Sequence, residues 1–337
     1  MLENPEKLQV RQELTGDMKI SAILCTHNRS QSLAKTLGSL TVSILPETIA
    51  WEVLVVDNNS SDQTETVVKD FCQRYPGRFR YLFEPRQGKS FALNAGIREA
   101  RGSILAFVDD DVIVETEWLQ NLTSALDDRK WAGCGGRILP SSGFVPPQWL
   151  ALEGPCNLVG ALCAYFDPGD VPCELKEPPF GTNMAFRKEM FDKYGYFRTD
   201  LGPFPDNKIG FEDTEFGRRL MAAGEQLRYV PTAVVYHEVP EYRVRKEFLL
   251  TWWFDFGRGS VRETGRRVSP REILKILGRT LLTTVQWVLT FNSQRRFYRK
   301  CRIWYAAGKI VEVCQQARNT NSPGHKPQPQ AGGESTI

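Results

Sequence analysis

The sequence predicts an α/β protein with a mostly parallel central sheet flanked by helices, followed by a basic helical extension. Between residue 18 and about residue 127, short apolar runs alternate with helical stretches, and this alternation is typical of parallel βαβ units. The charge is also uneven. Residues 241–318 hold 17 Lys and Arg against 6 Asp and Glu, so that the first 240 residues carry −8 within a total of +3. An acidic body joined to a basic segment indicates regions with different partners.

Polar residues follow three of the four strands predicted in the first half, at 26–29, 57–59 and 109–111. The strands are expected over Lys19–Cys25, Trp51–Val56, Phe79–Phe83 and Ile104–Val108. Capping and turn residues place helices from Ser30 to about 44, from the turn at 58–62 to about 75, from Ser90 to about 102, and around 117–126. After residue 130 shorter strands are expected at 131–139, 182–187, 226–230 and 233–236, with a helix over 213–223.

Composition narrows the class of protein. The eight cysteines are scattered without a CxxC pair, and a chain of 337 residues does not need disulfides to stabilise its core. The N-terminal segment is polar and lacks the apolar stretch of a secretory signal. We therefore expect reduced thiols and a cytoplasmic protein.

Three adjacent carboxylates follow the fourth predicted strand. Asp109, Asp110 and Asp111 repel one another at the tip of an apolar run. Mg²⁺ and Mn²⁺ prefer oxygen ligands, take one or two carboxylates and complete their shell with phosphate oxygens. The triplet therefore indicates a divalent cation and a diphosphate ligand, with a solvated acidic turn as the alternative.

Seven segments in order carry a resemblance to a known family. They are ILCTHNR (23–29), VLVVDNNSSD (53–62), GKSFALNAGI (88–97), LAFVDDDV (105–112), PFGTNMAFRKEMFDKYGYF (179–197), GFEDTEFGRRLMAAG (210–224) and VVYHE (234–238). Over residues 18–240 the chain resembles family 2 glycosyltransferases of the GT-A fold, which is Rossmann-like.

The resemblance implies a division of the chain. It predicts a nucleotide-sugar-binding half over 18–130 and an acceptor-binding half of the same catalytic domain over 131–240. An N-terminal extension over 1–17, an amphipathic basic helical region over 241–318 and a disordered tail over 319–337 complete the prediction.

The resemblance also implies residues that bind the donor nucleotide. Asp57 matches the acid that hydrogen-bonds the edge of the base, uracil or another. UDP is the expected nucleotide because it is frequent among donors of this family. The base is flanked by Thr26 and by His27, which stands where many relatives have Tyr. The other expected nucleotide-binding residues are Arg29, Arg86, Lys89, Asp109 and Asp110, where Asp109 or Asp110 holds the ribose.

The residues expected to bind the metal and to catalyse transfer lie in the last four of the seven segments. By resemblance, Asp111 and His237 bind Mg²⁺ or Mn²⁺, and Asp213 is the base that activates the acceptor hydroxyl. Glu212 orients the acceptor or shapes the start of its helix. The loop beside the donor sugar and acceptor carries Gly181, Thr182 and Asn183. A single displacement of this kind inverts the anomeric configuration.

Two other functions remain open from the sequence. A nucleotidyltransferase shares this kind of sheet, but usually has a Gly-rich loop after the first strand, where this chain has THNRSQS (26–32). An inactive, membrane-associated binding protein is the second alternative. The processive members of the family carry a Q-x-x-R-W motif that this sequence lacks, which favours a single-transfer enzyme.

The segment 273–291 is apolar but carries a polar stripe. Lys275, Arg279, Thr283, Gln286 and Thr290 recur every three or four residues, which predicts an amphipathic helix lying on an anionic membrane surface rather than spanning it. Packing on the core or on a second subunit, as in a homodimer, is the alternative. We expect a peripheral enzyme at the inner face of the cell membrane, a glycan or lipid-linked glycan as acceptor, and no nucleic acid as partner.

Overall fold

The structure is a computed structural model that describes residues 18–151, 154–204 and 209–321. The predicted extension over 1–17 lies outside the described residues, as does most of the predicted tail, from residue 322 onward. The last helix continues to Asn321, so the predicted tail begins inside this helix.

Four parallel strands form the first half of the sheet. They are β1 (Met18–Thr26), β2 (Ala50–Asp57), β3 (Phe79–Phe83) and β4 (Ile104–Val108), in the spatial order β3-β2-β1-β4. The helices that follow the first three are α1 (Ser30–Thr41), α2 (Thr64–Arg74) and α3 (Lys89–Glu99). Ile104, Ala106 and Val108 lie in one apolar cluster, whereas Leu105 and Phe107 lie in the other. The alternation of side chains along a strand thus buries both faces of the sheet.

The second half continues the same sheet with mixed direction. Its elements are β5 (Val112–Val114), α4 (Trp118–Ala125), β6 (Trp131–Pro140), α5 (Val159–Cys163), β7 (Cys173–Glu174), β8 (Asn183–Arg187), α6 (Lys188–Tyr194), α7 (Glu212–Ala222) and β9 (Gln226–His237). The order runs β4-β8-β6-β9-β5, with β7 also on β9. Of the nine described strands, six run in one direction, and β5, β7 and β8 are antiparallel to them. The predicted fold class is confirmed.

The two strands expected at 226–230 and 233–236 are one strand, and the separation was wrong. Gly136 of β6 pairs with Val230, and the next residue, Arg137, pairs with Val234. The intervening residues of β9 form a bulge that includes Pro231, which has no N–H to donate to a ladder. A proline in a strand pattern therefore marked an irregularity and not an end.

A helical module over residues 241–321 follows the sheet. It contains a 3₁₀ turn (Glu241–Val244), α8 (Lys246–Glu263), α9 (Pro270–Val288) and α10 (Ser293–Asn321). Helices α8 and α10 cross at two glycines: an added Cβ at Gly257 would lie 2.1 Å from the Tyr305 oxygen, and one at Gly308 would lie 2.0 Å from the Phe254 oxygen. Within the described part of the chain, none of the helices is both long and apolar enough to cross a bilayer.

The helical module is attached to the sheet domain by an apolar cluster of its own. Leu249, Leu250 and Phe297 from the module pack with Leu158 and Leu162, which lie at and near α5. This contact fixes the 3₁₀ turn beside the carboxyl ends of the central strands.

Candidate active site

The three carboxylates between β4 and β5 are each paired with a cationic side chain. Lys89 Nζ lies 2.6 Å from Asp109 Oδ1, and Arg29 Nη1 lies 2.9 Å from Asp110 Oδ1. Asp111 Oδ2 accepts from Arg29 Nη1 at 2.9 Å and from Arg243 Nη2 at 2.8 Å. Burial raises the pKa of Asp110 to about 6 despite Arg29. At Asp109 burial also acts to raise the pKa, but Lys89 and the Thr182 hydroxyl together outweigh it, so the pKa is lowered. The repulsion predicted from the sequence is therefore balanced by basic side chains from three separate elements.

Two of these carboxylates lie with a histidine in a group that can hold a metal ion. Ligand atoms of Asp109, Asp111 and His237 lie within 4.8 Å of one another. The antiparallel pairing of β5 with β9 sets His237 opposite Val112 and so beside the triplet. His237 Nδ1 lies 2.7 Å from the carbonyl oxygen of Glu238 and must donate to it, so Nε2 keeps its lone pair. Two carboxylates and one neutral imidazole fit a divalent cation such as Mn²⁺ or Mg²⁺.

The state of His237 is consistent with this role. Burial lowers its pKa, because the charged form is poorly solvated in the interior. The Nε2 atom is 3.4 Å from Asp111 Oδ1. A neutral imidazole with a lone pair on one ring nitrogen is the form that binds metals.

A second acidic pair, Glu212 and Asp213, begins helix α7. Asp213 Oδ2 accepts from the Gly181 N–H at 2.5 Å, and Oδ1 accepts from the Thr214 N–H at 2.6 Å. Glu212 is buried, and its Oε2 has no hydrogen-bond partner among the described residues. Burial, with a smaller contribution from the Asp213 charge, raises the pKa of Glu212 to about 7. The two acids therefore differ: Asp213 is held by backbone donors, and Glu212 favours its neutral form.

Lys89 and the loop at 181–182 connect the acidic pair with the metal-binding group. Lys89 Nζ, bonded to Asp109, is also 3.8 Å from Glu212 Oε1. Thr182 Oγ1 donates to Asp109 Oδ2 at 2.7 Å, next to the Gly181 N–H that binds Asp213. Residues distant in sequence thus lie in one continuous site.

The residues predicted to contact the nucleotide base lie side by side at the ends of β1 and β2. Thr26 is the sheet partner of Asp57. Both are buried, and the Asp57 carboxylate accepts from the Ser60 N–H and the Tyr81 hydroxyl, each at 2.9 Å. His27 is half-buried, with Nδ1 2.9 Å from the Asn58 carbonyl oxygen. Their assigned roles stay predictions.

The side chains of two predicted site residues do not contact the acidic residues of the site. Arg86 is largely exposed and makes a two-pronged ion pair with Glu84, at 2.8 and 2.9 Å. Asn183 is fully buried, and its amide bonds the Trp118 indole and two carbonyl oxygens at 2.8–2.9 Å. Asn183 stabilises the junction of β8 with β6 and β9, and these contacts do not bring it to the acidic pair.

Two residues at the site were not predicted. Asn58 donates to the carbonyl oxygens of Glu84 and Arg86 and accepts from the Gly88 N–H at 2.8 Å, so it shapes the loop before α3. Its position directly after a strand-end acid was a usable signal. Arg243 had none, because it lies 132 residues from its partner Asp111.

Residues 21–195 match the sequence model described as glycosyl transferase family 2, which is more than half of the chain. The chain belongs to glycosyl transferase family 2. A protein of Haloferax volcanii with the name glycosyltransferase AglE is 26% identical over 247 residues, covering 70% of this chain and 75% of that protein. The predicted family and the predicted enzyme class, a glycosyltransferase, are both confirmed.

Solved structures agree with the fold. The mannosyltransferase PcManGT from Pyrobaculum calidifontis, in complex with GDP-Man and Mn²⁺, superposes with a TM-score of 0.54 at 18% identity, over 94% of this chain and 78% of that chain. TarS residues 1–349 of S. aureus, in complex with UDP, give 0.50 at 16% identity, over 90% and 92%. This family 2 enzyme therefore has the GT-A architecture.

Proposed function

We propose that this family 2 enzyme transfers one sugar from a nucleoside diphosphate donor to a hydroxyl acceptor by a metal-dependent, inverting displacement. The observation that carries the proposal is the convergence of Asp109, Asp111 and His237 within 4.8 Å. This group is connected to Asp213 through the loop at 181–182. A site for a leaving diphosphate and a site for a base are thereby adjacent.

The residues around the sugar donor would stabilise the negative charge of the leaving diphosphate. When the anomeric C–O bond breaks, its electron pair leaves on the diphosphate. A divalent cation held by Asp109, Asp111 and His237 would supply Lewis-acid stabilisation of that charge. Lys89, bonded to Asp109, adds a fixed positive charge in the same place. UDP is the proposed nucleotide; the solved relatives named above bind GDP-Man and UDP.

Asp213 is the proposed base. The acceptor oxygen forms the new bond to the anomeric carbon and gives its proton to an Asp213 carboxylate oxygen. The Gly181 and Thr214 N–H groups hold this carboxylate in place. Because attack is on the face opposite the leaving diphosphate, the configuration inverts. The lack of a Q-x-x-R-W motif supports one transfer per binding event.

Thermal unfolding with nucleotides and metal tests this function. UDP, GDP and TDP, each with and without Mn²⁺, are added to the wild-type enzyme. We expect one nucleotide to raise the melting temperature by several degrees, only when Mn²⁺ is present. Asp111→Asn should remove the effect, whereas Asp192→Asn, an exposed acid on α6, should keep it. Indifference of the wild type to all six conditions would contradict the proposal.

We further propose that α9 places the enzyme on an anionic membrane, where a lipid-linked glycan is the acceptor. Side chains on one face of α9 are exposed: Leu274 by 73%, Leu277 by 47%, Leu281 by 68% and Val288 by 61%. Their spacing of three, four and seven residues places them on one stripe. Lys275 and Arg279 are exposed elsewhere around the same helix, and basic side chains close to a membrane surface attract acidic lipid headgroups.

A further inference from the structure

Arg243 holds an unusual position for a residue of the helical module. It lies in the 3₁₀ turn before α8, yet its guanidinium reaches the metal-binding group. Its Nη2 donates to Asp111 Oδ2 at 2.8 Å, and its Nη1 is 3.2 Å from His237 Nε2. One side chain therefore contacts two of the three residues that can hold the cation.

Arg243 and a divalent cation compete for the same electron pairs. His237 Nε2 has one lone pair, and this pair faces Arg243 because Nδ1 is used on the Glu238 carbonyl. Asp111 Oδ2 already accepts from two guanidinium groups. A cation bound to these atoms would also repel the adjacent positive charge. Arg243 and the cation therefore cannot both bind His237 Nε2, and the charge of the cation weakens the contact of Arg243 with Asp111.

Arg29 also pairs with Asp111, but its remaining contacts differ from those of Arg243. Arg29 has a second carboxylate, since the same Nη1 atom lies 2.9 Å from Asp110 Oδ1. Among the described residues, the partners of Arg243 besides Asp111 are neutral: the Leu162 carbonyl oxygen at 2.9 Å and His237. Its Nε is buried without a hydrogen-bond partner in the described part of the chain. Arg243 is thus the cation that loses most when Asp111 takes another ligand.

We propose that Arg243 exchanges partners, binding Asp111 and His237 until a divalent cation takes them, and then binding the diphosphate of the donor. This inference rests on the proposed metal-dependent use of a nucleoside diphosphate. A guanidinium matches the two oxygens of a phosphate in its planar fork, and the released fork lies next to the cation-binding atoms. The exchange keeps positive charge beside the carboxylates at every stage.

The inference predicts effects of opposite sign on two ligands. In Arg243→Gln, Mn²⁺ alone should bind about tenfold more tightly, because a competing charged contact is gone. With saturating Mn²⁺, UDP or GDP, whichever stabilises the wild type, should bind about tenfold more weakly, because a phosphate contact is lost. Loss of structure would weaken both ligands and cannot imitate this pattern.

Mn²⁺ affinity is measured by titrating Mn²⁺ with protein and following the electron paramagnetic resonance signal of the free ion. Nucleotide affinity is measured by calorimetry. Arg245→Gln removes the same charge from an exposed residue two positions away and should leave both affinities unchanged. Unchanged or weaker Mn²⁺ binding in Arg243→Gln overturns the exchange, even if wild-type Mn²⁺ binding requires Asp111. If Asp111→Asn binds Mn²⁺ as tightly as the wild type, the proposed metal site itself is wrong.

Discussion

The parallel half of the sheet and the helical module organise charge in opposite ways. In the first, the carboxylates of Asp57 and of Asp109–Asp111 gather at the carboxyl ends of buried strands. In the second, a buried acid, Glu312, lies inside and pairs with Arg258 and Arg262 at 3.3 and 2.6 Å. Part of the basic surplus is therefore neutralised within the module, and Arg243 is paired with an acid of the sheet.

The difference shows what each region contributes. The sheet carries acidic residues that need positive charge beside them. The module contributes the basic residue Arg243, which pairs with one of these acids, and it also has an exposed apolar stripe on α9. We thus expect catalysis to depend on the sheet and on α7, and membrane binding to depend on α9. Changes confined to one region should separate these properties.

Asp213→Asn should have the largest effect and should touch chemistry alone. An amide cannot accept the acceptor proton, so kcat should fall by about 10²–10⁴-fold. Nucleotide affinity with Mn²⁺ should change little, since Asp213 contacts the Gly181 backbone and not the metal-binding group. Steady-state kinetics and calorimetry measure the two quantities. Loss of nucleotide binding instead would mean that Asp213 is not the base.

Replacing two leucines of α9 should affect location and leave chemistry intact. Leu277→Glu with Leu281→Glu places charge on the exposed stripe, and binding to vesicles of phosphatidylglycerol and phosphatidylcholine should fall about a hundredfold. Cosedimentation measures binding, and turnover on a water-soluble acceptor should be retained. Val42→Glu with Ile44→Glu is the matched control, because these residues are exposed by 58% and 56% on the catalytic domain.

The same variants distinguish a membrane from a second copy of the chain. Vesicle binding that is unaffected by the leucine changes would contradict membrane docking through α9. If the wild type sediments as a dimer and the leucine variant as a monomer, the stripe is a subunit interface.

The regular half of the molecule could be predicted closely from its sequence. β3 and β4 have the predicted bounds, because apolar runs flanked by turn residues are local signals. The triplet at the end of β4 followed from the same pattern, since a parallel sheet places its strand ends at one edge. The local pattern of apolar and turn residues was therefore sufficient to predict these strands.

The parts that the sequence did not predict depend on distant contacts. Nothing around Arg243 indicates that it reaches Asp111, because that contact depends on the packing of α8 and α10 against α5, which contains Leu162. Asn183 belongs to a family motif, yet its amide is used by Trp118 and two carbonyl groups. For α9 the polar stripe was visible, but whether its apolar face would be covered depends on tertiary structure.

The smallest expected effect tests whether the module must be rigid to place Arg243. Gly257→Ala puts a methyl group 2.1 Å from the Tyr305 carbonyl oxygen, so α8 and α10 must separate, at about 1–3 kcal/mol of unfolding free energy. Gly278→Ala on α9 meets no atom within 4 Å and should instead add about 0.5–1 kcal/mol. Urea unfolding measures both. Because Arg243 lies at the start of α8, the Gly257 variant should also weaken nucleotide binding while Asp213-dependent chemistry on bound donor persists. Equal stability of the two variants would show that the helix crossing tolerates a wider spacing, and that Arg243 is positioned by its own contacts alone.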